Sequence, residues 1–163
     1  MPSRAWPAAL HVAAIDAESG ERVVFEAASG VAPARAIAAS RAIPTLLPPV
    51  TIDGRVFVDG ALGSATNADA LAGGDATRVL IITGVPEQPD EPGPDRFWRE
   101  ALDDEVAALE RAGHAVVVVH ATPAEREAMG EDPMSGAAAD RAVDAGRRRG
   151  RLLAAQISPR RAA

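Results

Sequence analysis

Apolar positions in the first part of the chain fall in short runs that are separated by turn-forming residues. Residues 10–16 and 21–26 contain such runs and predict two strands, and residues 17–20 between them have the chemistry of a hairpin turn. An Ala-rich helix is predicted over residues 33–41, because it begins at a proline in its first turn. Pro44 is expected to end that helix, since proline disfavours helical backbone at the residue before it.

A second hairpin follows the predicted helix. Residues 50–52 and 56–58 flank Asp53-Gly54, a dipeptide typical of two-residue hairpin turns. A further short helix is predicted over residues 67–71, and Gly73-Gly74 would end it. The first seventy or so residues are therefore expected to form two hairpins with short helices between and after them.

The pattern changes in the second half of the chain. Residues 79–83 and 115–119 are continuous apolar runs, which predict strands covered on both faces. Between them, apolar side chains recur with the helical period over residues 97–112, and Gly113 would end that helix. A strand, a helix and a strand at this spacing form a βαβ unit, so the two strands are expected to be parallel. The pattern indicates an α/β fold.

The remaining segments predict loops and one long helix. Residues 85–95 and 122–133 are rich in proline and polar residues and are expected to be surface loops. The last helix is predicted over residues 136–157. A chain of 163 residues has the size of about one domain. We therefore expect one domain over residues 1–158, followed by a basic tail over residues 159–163.

Composition and charge exclude several classes of function. The net charge of −6 argues against nucleic acid as a partner, because phosphate binding needs a basic surface. The absence of cysteine excludes disulfides and thiolate sites. No run approaches the roughly 18 apolar residues of a spanning helix, and the first residues lack the apolar core of a signal peptide. A cytoplasmic location is the resulting expectation.

Asp59 is the candidate residue with the most informative surroundings. It ends the second strand of the second hairpin and precedes Gly60, so its carboxylate is placed at a strand end, where open α/β sheets hold their ligands. Asp-Gly is also a common turn dipeptide, and Asp53-Gly54 in the same hairpin is expected to be only a turn. The residues by themselves leave both a functional and a structural role open for Asp59.

The neighbours of Asp59 resemble an ordered series found in patatin-like phospholipases. That series is Ser40-Arg41-Ala42-Ile43-Pro44, Pro48-Pro49-Val50, the hairpin, Asp59-Gly60-Ala61 and Asn67. Later segments are similar to bacterial members of the same family, namely residues 79–82, 102–109, 113–119, 129–130 and 145–146. The resemblance therefore extends over most of the chain, from Leu10 to Gly150.

The resemblance implies a fold, a reaction and a set of site residues. The fold would be part of a three-layer α/β domain in which a mostly parallel sheet is flanked by helices. The reaction would be the hydrolysis of a lipid or other carboxylic ester by a serine–aspartate dyad, without metal or cofactor. Asp59 would be the base that takes the serine proton, in an Asp-Gly-Ala motif with Gly60 and Ala61. Ser40 and Pro44 would form part of the wall of the site, and Asn67 would be either a wall residue or a helix cap.

The nucleophile that the resemblance requires is missing from the sequence. The family's serine lies in a Gly-x-Ser-x-Gly elbow, and no serine of this chain has glycine two residues before it. The serines are Ser3, Ser19, Ser29, Ser40, Ser64, Ser135 and Ser158. We therefore expect the C-terminal portion of a patatin-like domain, which lacks the nucleophile and the oxyanion loop and is inactive alone.

Other kinds of chemistry have little support in the sequence. No spacing links His11, His114 or His120 to a nucleophile or to further metal ligands. The arginine-rich C-terminal end is expected to be a solvated helix end, with contact to an anionic membrane surface as the alternative. The alternative to a hydrolase is a non-catalytic α/β interaction module, or a remnant that a separate N-terminal polypeptide completes.

Overall fold

The computed structural model describes residues 5–88, 93–130 and 135–157. The chain divides into two compact units, Met1–Val119 and His120–Ala163, and each is treated by itself. The basic tail predicted over residues 159–163 lies outside the described residues.

Four strands of the first unit form an antiparallel sheet. They are β1 Val12–Asp16, β2 Arg22–Phe25, β3 Val50–Ile52 and β4 Arg55–Asp59, in the order β2-β1-β4-β3. Both predicted hairpins are confirmed. Asp53 and Gly54 have φ of 49° and 81°, as the two central residues of a type I′ hairpin turn require. The central pairing of β1 with β4 places Ala14 opposite Asp59.

The first helix packs on this sheet through small side chains. α1 spans Pro33–Ser40, as predicted to within one residue, and has proline in its first turn. Ala36 and Ala39 of α1 are fully buried in a core with Phe25 and Phe57. The two rings meet edge to face, with centroids 5.2 Å apart. Because alanine carries no bulk, the helix can lie close to the strand that ends at Asp59.

Two short 3₁₀ turns follow β4. The first spans Gly60–Leu62 and the second spans Ala68–Leu71. The second turn confirms a helical segment at the predicted place, although it has 3₁₀ geometry and begins after Asn67, whose φ is 50°. These turns connect the antiparallel sheet to the next strand.

The predicted βαβ unit is confirmed. β5 Arg78–Thr83 and β6 Ala115–His120 form a parallel two-stranded sheet, and α2 between them spans Pro94–Arg111. The helix begins at Pro94, inside the loop predicted over residues 85–95, because proline is well suited to a first helical turn. Residues 89–92 of that loop lie outside the described part of the chain.

The prediction that β5 and β6 are covered on both faces is wrong. Val79 and Ile81 of β5 are buried against α2, whereas Leu80 and Ile82 on the opposite face are 44% and 74% exposed. Most of β6 is only half-buried. The apolar run is continuous, but among the described residues only one face of β5 has a packing partner.

Two helices lie in the described part of the second unit. α4 spans Gly136–Ile157, as predicted. α3 spans Pro123–Met129, so the loop predicted over residues 122–133 is wrong for that part, and residues 131–133 lie outside the described residues. Thr122 and Glu125 form a reciprocal capping box, which satisfies free N–H groups at the start of α3.

The α/β class is confirmed, and the pairing of strands is mixed. Parallel pairing holds for β5 and β6, whereas all pairs in the four-stranded sheet are antiparallel. The expectation of a mostly parallel sheet therefore applies only to the smaller sheet. Among the helices described, none is sufficiently long and apolar to cross a membrane.

Candidate functional site

Asp59 is the last residue of β4 and is half-buried. Its backbone N–H donates to the carbonyl oxygen of Ala42 over 3.1 Å, which ties the strand end to the segment after α1. Its carboxylate Oδ1 accepts from the backbone N–H of Ala61 over 2.8 Å and thereby caps the Gly60–Leu62 turn. One carboxylate oxygen therefore has a fixed partner within the chain.

Gly60 is required by packing rather than by its backbone angles. It is buried, and its φ is outside the left-handed region. A Cβ atom at this position would lie 2.6 Å from the carbonyl oxygen of Ala13 and 3.1 Å from its carbonyl carbon. Glycine therefore allows the backbone of β1 to approach closely at this position.

Asp59 lines a cavity of about 410 Å³. Of the predicted site residues, Ser40, Gly60, Ala61 and Asn67 line this cavity with Asp59, and Pro44 does not. Arg41 and His11 also line it. The structure therefore brings together all but one of the residues that the sequence placed at the site.

Asn67 holds the segment after Asp59 in its fold. Its side-chain Nδ2 donates to the carbonyl oxygens of Ser64, over 2.6 Å, and Gly60, over 3.4 Å. The side chain makes no capping bond to the 3₁₀ turn that follows. Of the two roles predicted for Asn67, helix cap and site wall, the geometry is that of the wall.

Two serines line the same cavity, and neither is paired with Asp59. Ser64 is buried, with 6% of its surface exposed, and its Oγ accepts from the backbone N–H groups of Thr66 and Asn67. Ser40 is half-buried at the end of α1. Among the described residues, no hydroxyl lies within hydrogen-bond distance of the Asp59 carboxylate.

Two side chains of α2 reach the segment after Asp59, and both were missed by the sequence analysis. Trp98 donates its indole N–H to the carbonyl oxygen of Ala61 over 2.6 Å. Glu105 is 6% exposed and accepts at Oε2 from the hydroxyl of Thr66 and from the backbone N–H of Ala68, the latter over 3.0 Å. The two positions are seven residues apart, about two helical turns, and so share one face of α2.

An ion pair joins the other side of this segment to the sheet. Arg22 of β2 donates two hydrogen bonds to the carboxylate of Asp69, at 2.5 and 2.7 Å. These bonds hold the pKa of Asp69 below its usual range, against the opposing effect of partial burial. The ion pair fixes the second 3₁₀ turn to the edge of the sheet.

The histidines make structural contacts. His11 lies at the cavity, and its Nε2 is 3.1 Å from Oε2 of Glu26. His114 is buried, and its ring nitrogens face the carbonyl oxygens of Ala76 and Ala72. Within the described ranges, no group of three or more His, Cys, Asp or Glu side chains is arranged to hold a metal ion.

A known protein family matches the part of the chain that contains the predicted site residues. Residues 2–72 match the family model described as patatin-like phospholipase. The matched segment contains the antiparallel sheet, α1 and every predicted site residue, whereas β5, α2 and β6 lie beyond it. A comparison with curated proteins finds no match. The resemblance is supported over residues 2–72, and its predicted extension to residue 150 stays a prediction.

Proposed function

We propose that this chain supplies the aspartate of a serine–aspartate dyad in a patatin-like lipid acyl hydrolase. The observation that carries the proposal is the position of Asp59, which ends a strand, is half-buried and faces a cavity. The family match over residues 2–72 includes this residue and suggests the lipid acyl hydrolase class. The substrate would be a lipid or another carboxylic ester.

The geometry suits a base whose orientation is set in advance. The Ala61 N–H holds Oδ1 of Asp59, and no other polar group among the described residues is bonded to the carboxylate. Oδ2 is therefore available to accept a proton from a serine hydroxyl placed in the cavity. A base that is already oriented avoids reorganisation when the proton moves.

The proposed reaction has two halves that use the same carboxylate. In the first, the serine proton passes to Asp59 as Oγ bonds to the ester carbonyl carbon, and the departing alkoxide takes that proton when the ester C–O bond breaks. In the second, water gives a proton to Asp59 and its oxygen attacks the acyl-enzyme. The acid is released and the serine regains its proton. Neither half needs a metal or a cofactor.

The serine is proposed to lie outside these 163 residues. No serine of the chain lies in a Gly-x-Ser-x-Gly elbow, and neither Ser40 nor Ser64 bonds to Asp59. The chain alone would then have a base without a nucleophile and without oxyanion donors. We propose that it is inactive until a segment carrying both elements joins it.

Labelling with a fluorophosphonate, which reacts with activated serines, tests this proposal. The chain alone should not be labelled. The chain co-expressed with the N-terminal half of a patatin-like phospholipase, called here the completed enzyme, should be labelled at the serine of the added elbow and should hydrolyse p-nitrophenyl butyrate. Labelling of the chain alone at Ser40, Ser64 or another of its own serines would contradict the proposal.

The open face of β5 favours assembly with a further polypeptide. Leu80 and Ile82 are exposed apolar residues, and they line a groove of about 400 Å³ whose other side includes Ala13 and Val24 of the antiparallel sheet. Exposed apolar side chains on an unpaired strand edge favour pairing with another chain. Ile82→Asp should weaken co-purification with the added N-terminal half, whereas Val143→Asp, at a half-exposed position of α4, should not.

Binding without turnover would favour the second candidate function, a non-catalytic interaction module. In that case the chain would still co-purify with the N-terminal half, and Ile82→Asp would still weaken the complex. Ester hydrolysis by the complex would be absent or unaffected by Asp59→Asn. Both candidate functions therefore predict binding to the N-terminal half, and only the hydrolase predicts ester hydrolysis that depends on Asp59.

A further inference from the structure

The segment that follows Asp59 is fixed at its first turn by a residue from α2. The Ala61 N–H donates to Asp59 Oδ1 over 2.8 Å, and the Ala61 carbonyl oxygen accepts from the Trp98 indole over 2.6 Å. Ala61 thus bonds to the carboxylate on one side and to the helix on the other. The position of the Trp98 ring therefore bears directly on the position of the N–H that orients Asp59.

The same helix fixes the far end of the segment. Glu105 accepts from the Thr66 hydroxyl and from the Ala68 N–H. Between these two residues lies Asn67, whose Nδ2 donates back to the Gly60 carbonyl oxygen. A buried carboxylate must keep its hydrogen-bond partners, because an unpartnered one is strongly destabilising. Glu105 therefore holds its end of the segment firmly.

We infer that Trp98 and Glu105 are positioning residues for Asp59, and that α2 sets the orientation of this carboxylate. Neither side chain is hydrogen-bonded to Asp59, and each acts through residues 60–68. Seven residues of helix span about 10 Å, so one rigid element fixes both ends of the segment. The inference rests on the proposed function, since it assigns these residues a role in presenting the proposed base.

The position of α2 in the sequence makes the inference specific. α2 lies beyond the family-matched residues 2–72, so the supports from Trp98 and Glu105 come from outside the matched segment. A truncated chain that ends near residue 72 would keep Asp59, Gly60 and Ala61 but would lose both side chains that hold the turn. The role of orienting Asp59 is therefore assigned to α2, which lies outside the Asp59-Gly60-Ala61 motif and outside the family-matched residues.

The chain offers a matched control for Trp98. Trp6 is the other tryptophan, and its indole N–H also donates to a backbone carbonyl oxygen, that of Val31, over 2.6 Å. Both rings are half-buried. Trp6→Phe and Trp98→Phe thus remove the same type of hydrogen bond and keep an aromatic ring, and only the second removal affects Ala61.

NMR spectroscopy of the full chain measures the effect without any assay of turnover. Trp98→Phe should speed amide hydrogen exchange at Ala61 by about two- to tenfold, as expected for the loss of one supporting hydrogen bond. It should also shift the carboxyl ¹³C resonance of Asp59. Trp6→Phe should change neither signal. Unchanged signals in Trp98→Phe, or equal changes in both variants, would overturn the inference.

Glu105 is tested by a pair of substitutions. Glu105→Gln keeps an oxygen that can accept from Thr66 and Ala68, whereas Glu105→Leu removes it. Amide exchange at Ala68 should be close to the parent value in the first variant and faster in the second, with a further shift of the Asp59 carboxyl signal. Equal behaviour of the two variants would overturn the role of Glu105. If Glu105→Leu does not fold, the tryptophan pair decides the inference.

Turnover in the completed enzyme separates this inference from the proposed function. Trp98→Phe should lower kcat with little change in KM, and Trp6→Phe should change neither. If Asp59→Asn leaves turnover intact, the proposed function is wrong and the NMR result still reports on positioning. If Asp59→Asn abolishes turnover while Trp98→Phe leaves kcat and the Asp59 resonance unchanged, only the positioning inference is wrong.

Discussion

Gly60 lies directly against the backbone of Ala13, and a Cβ atom at Gly60 would be 2.6 Å from the Ala13 carbonyl oxygen. The contact joins the residue after Asp59 to the strand that pairs with β4. Since the obstructing atom belongs to the backbone of a central strand, it cannot move aside as a flexible side chain could. The glycine of the Asp-Gly-Ala sequence is therefore a packing requirement of this fold.

Gly60→Ala is expected to destabilise the protein. Overpacking of this kind typically costs about 1–3 kcal/mol, measured as a lower free energy of unfolding in urea. Gly73→Ala is the control in the same unit, since a Cβ there meets nothing within 4 Å and φ is not left-handed. Gly73→Ala should stay within about 0.5 kcal/mol of the parent chain. Equal stability of the two variants would contradict the packing account of Gly60.

Asp59→Ala and Asp59→Asn should differ in stability. Oδ1 of Asp59 caps the 3₁₀ turn by accepting from Ala61, and asparagine can accept the same bond whereas alanine cannot. Loss of a cap costs about 1 kcal/mol, so Asp59→Ala should unfold at lower urea and Asp59→Asn close to the parent. If Asp59→Asn is as unstable as Asp59→Ala, the capping bond does not contribute as described.

Acid should remove the contribution of Asp16 to stability. The backbone N–H groups of Ser19 and Glu18, and the Arg55 guanidinium, favour the ionised carboxylate and hold the pKa of Asp16 below its usual range. Because the folded-state pKa lies below the unfolded value of about 3.9, the stabilisation is complete above about pH 4 and is lost as pH falls through the folded-state value.

Asp16→Asn tests this dependence on pH. The variant should be less stable than the parent near neutral pH, and the difference should shrink as pH falls below about 4. Asp53→Asn is the matched control, because Asp53 is an exposed turn residue and asparagine also tolerates its left-handed φ. A constant difference between Asp16→Asn and the parent across this range would contradict the role assigned to the ionised Asp16.

Thr122→Ala should loosen the start of α3. The substitution removes the hydroxyl that accepts from the Glu125 N–H and so breaks one half of the capping box. The expected cost is about 1 kcal/mol, seen as faster amide hydrogen exchange at Glu125. Unchanged exchange at Glu125 would show that the cap does not hold this helix end.

The elements that depend on local chemistry were predictable from the sequence. Asp53-Gly54 adopts the left-handed turn that its residue types favour, and the helix-period pattern over α2 placed that helix to within a few residues. The α3 signal was present in Thr122, Pro123 and Glu125, a capping box with proline in the first turn. Pro123 is typical of loops, but the first turn of a helix suits it equally well, so the sequence pattern did not distinguish the two.

Properties that depend on distant neighbours were not predictable. The apolar run of β5 does not reveal that Leu80 and Ile82 lack cover, because coverage is decided by other parts of the fold. The family resemblance predicted Asp59, Ser40, Asn67 and Pro44 in one site; the first three line one cavity and Pro44 does not. Trp98 and Glu105 were missed because a polar or amphipathic residue in a helix is usually assigned to solvent, and their partners lie 37 to 39 positions away in sequence.

The role of Asp59 as the base is tested by the kcat of the completed enzyme for p-nitrophenyl butyrate, measured with Asp59→Asn and, in parallel, with Asp53→Asn. Both substitutions replace the aspartate of an Asp-Gly pair in one hairpin, and Asn at position 59 retains the capping bond. Loss of a general base typically costs about 10²–10⁴-fold in rate. Asp59→Asn should lower kcat by a factor of that size at unchanged urea stability, and Asp53→Asn should have the kcat of the parent. Equal kcat values for the two variants would contradict the assignment of Asp59 as the base.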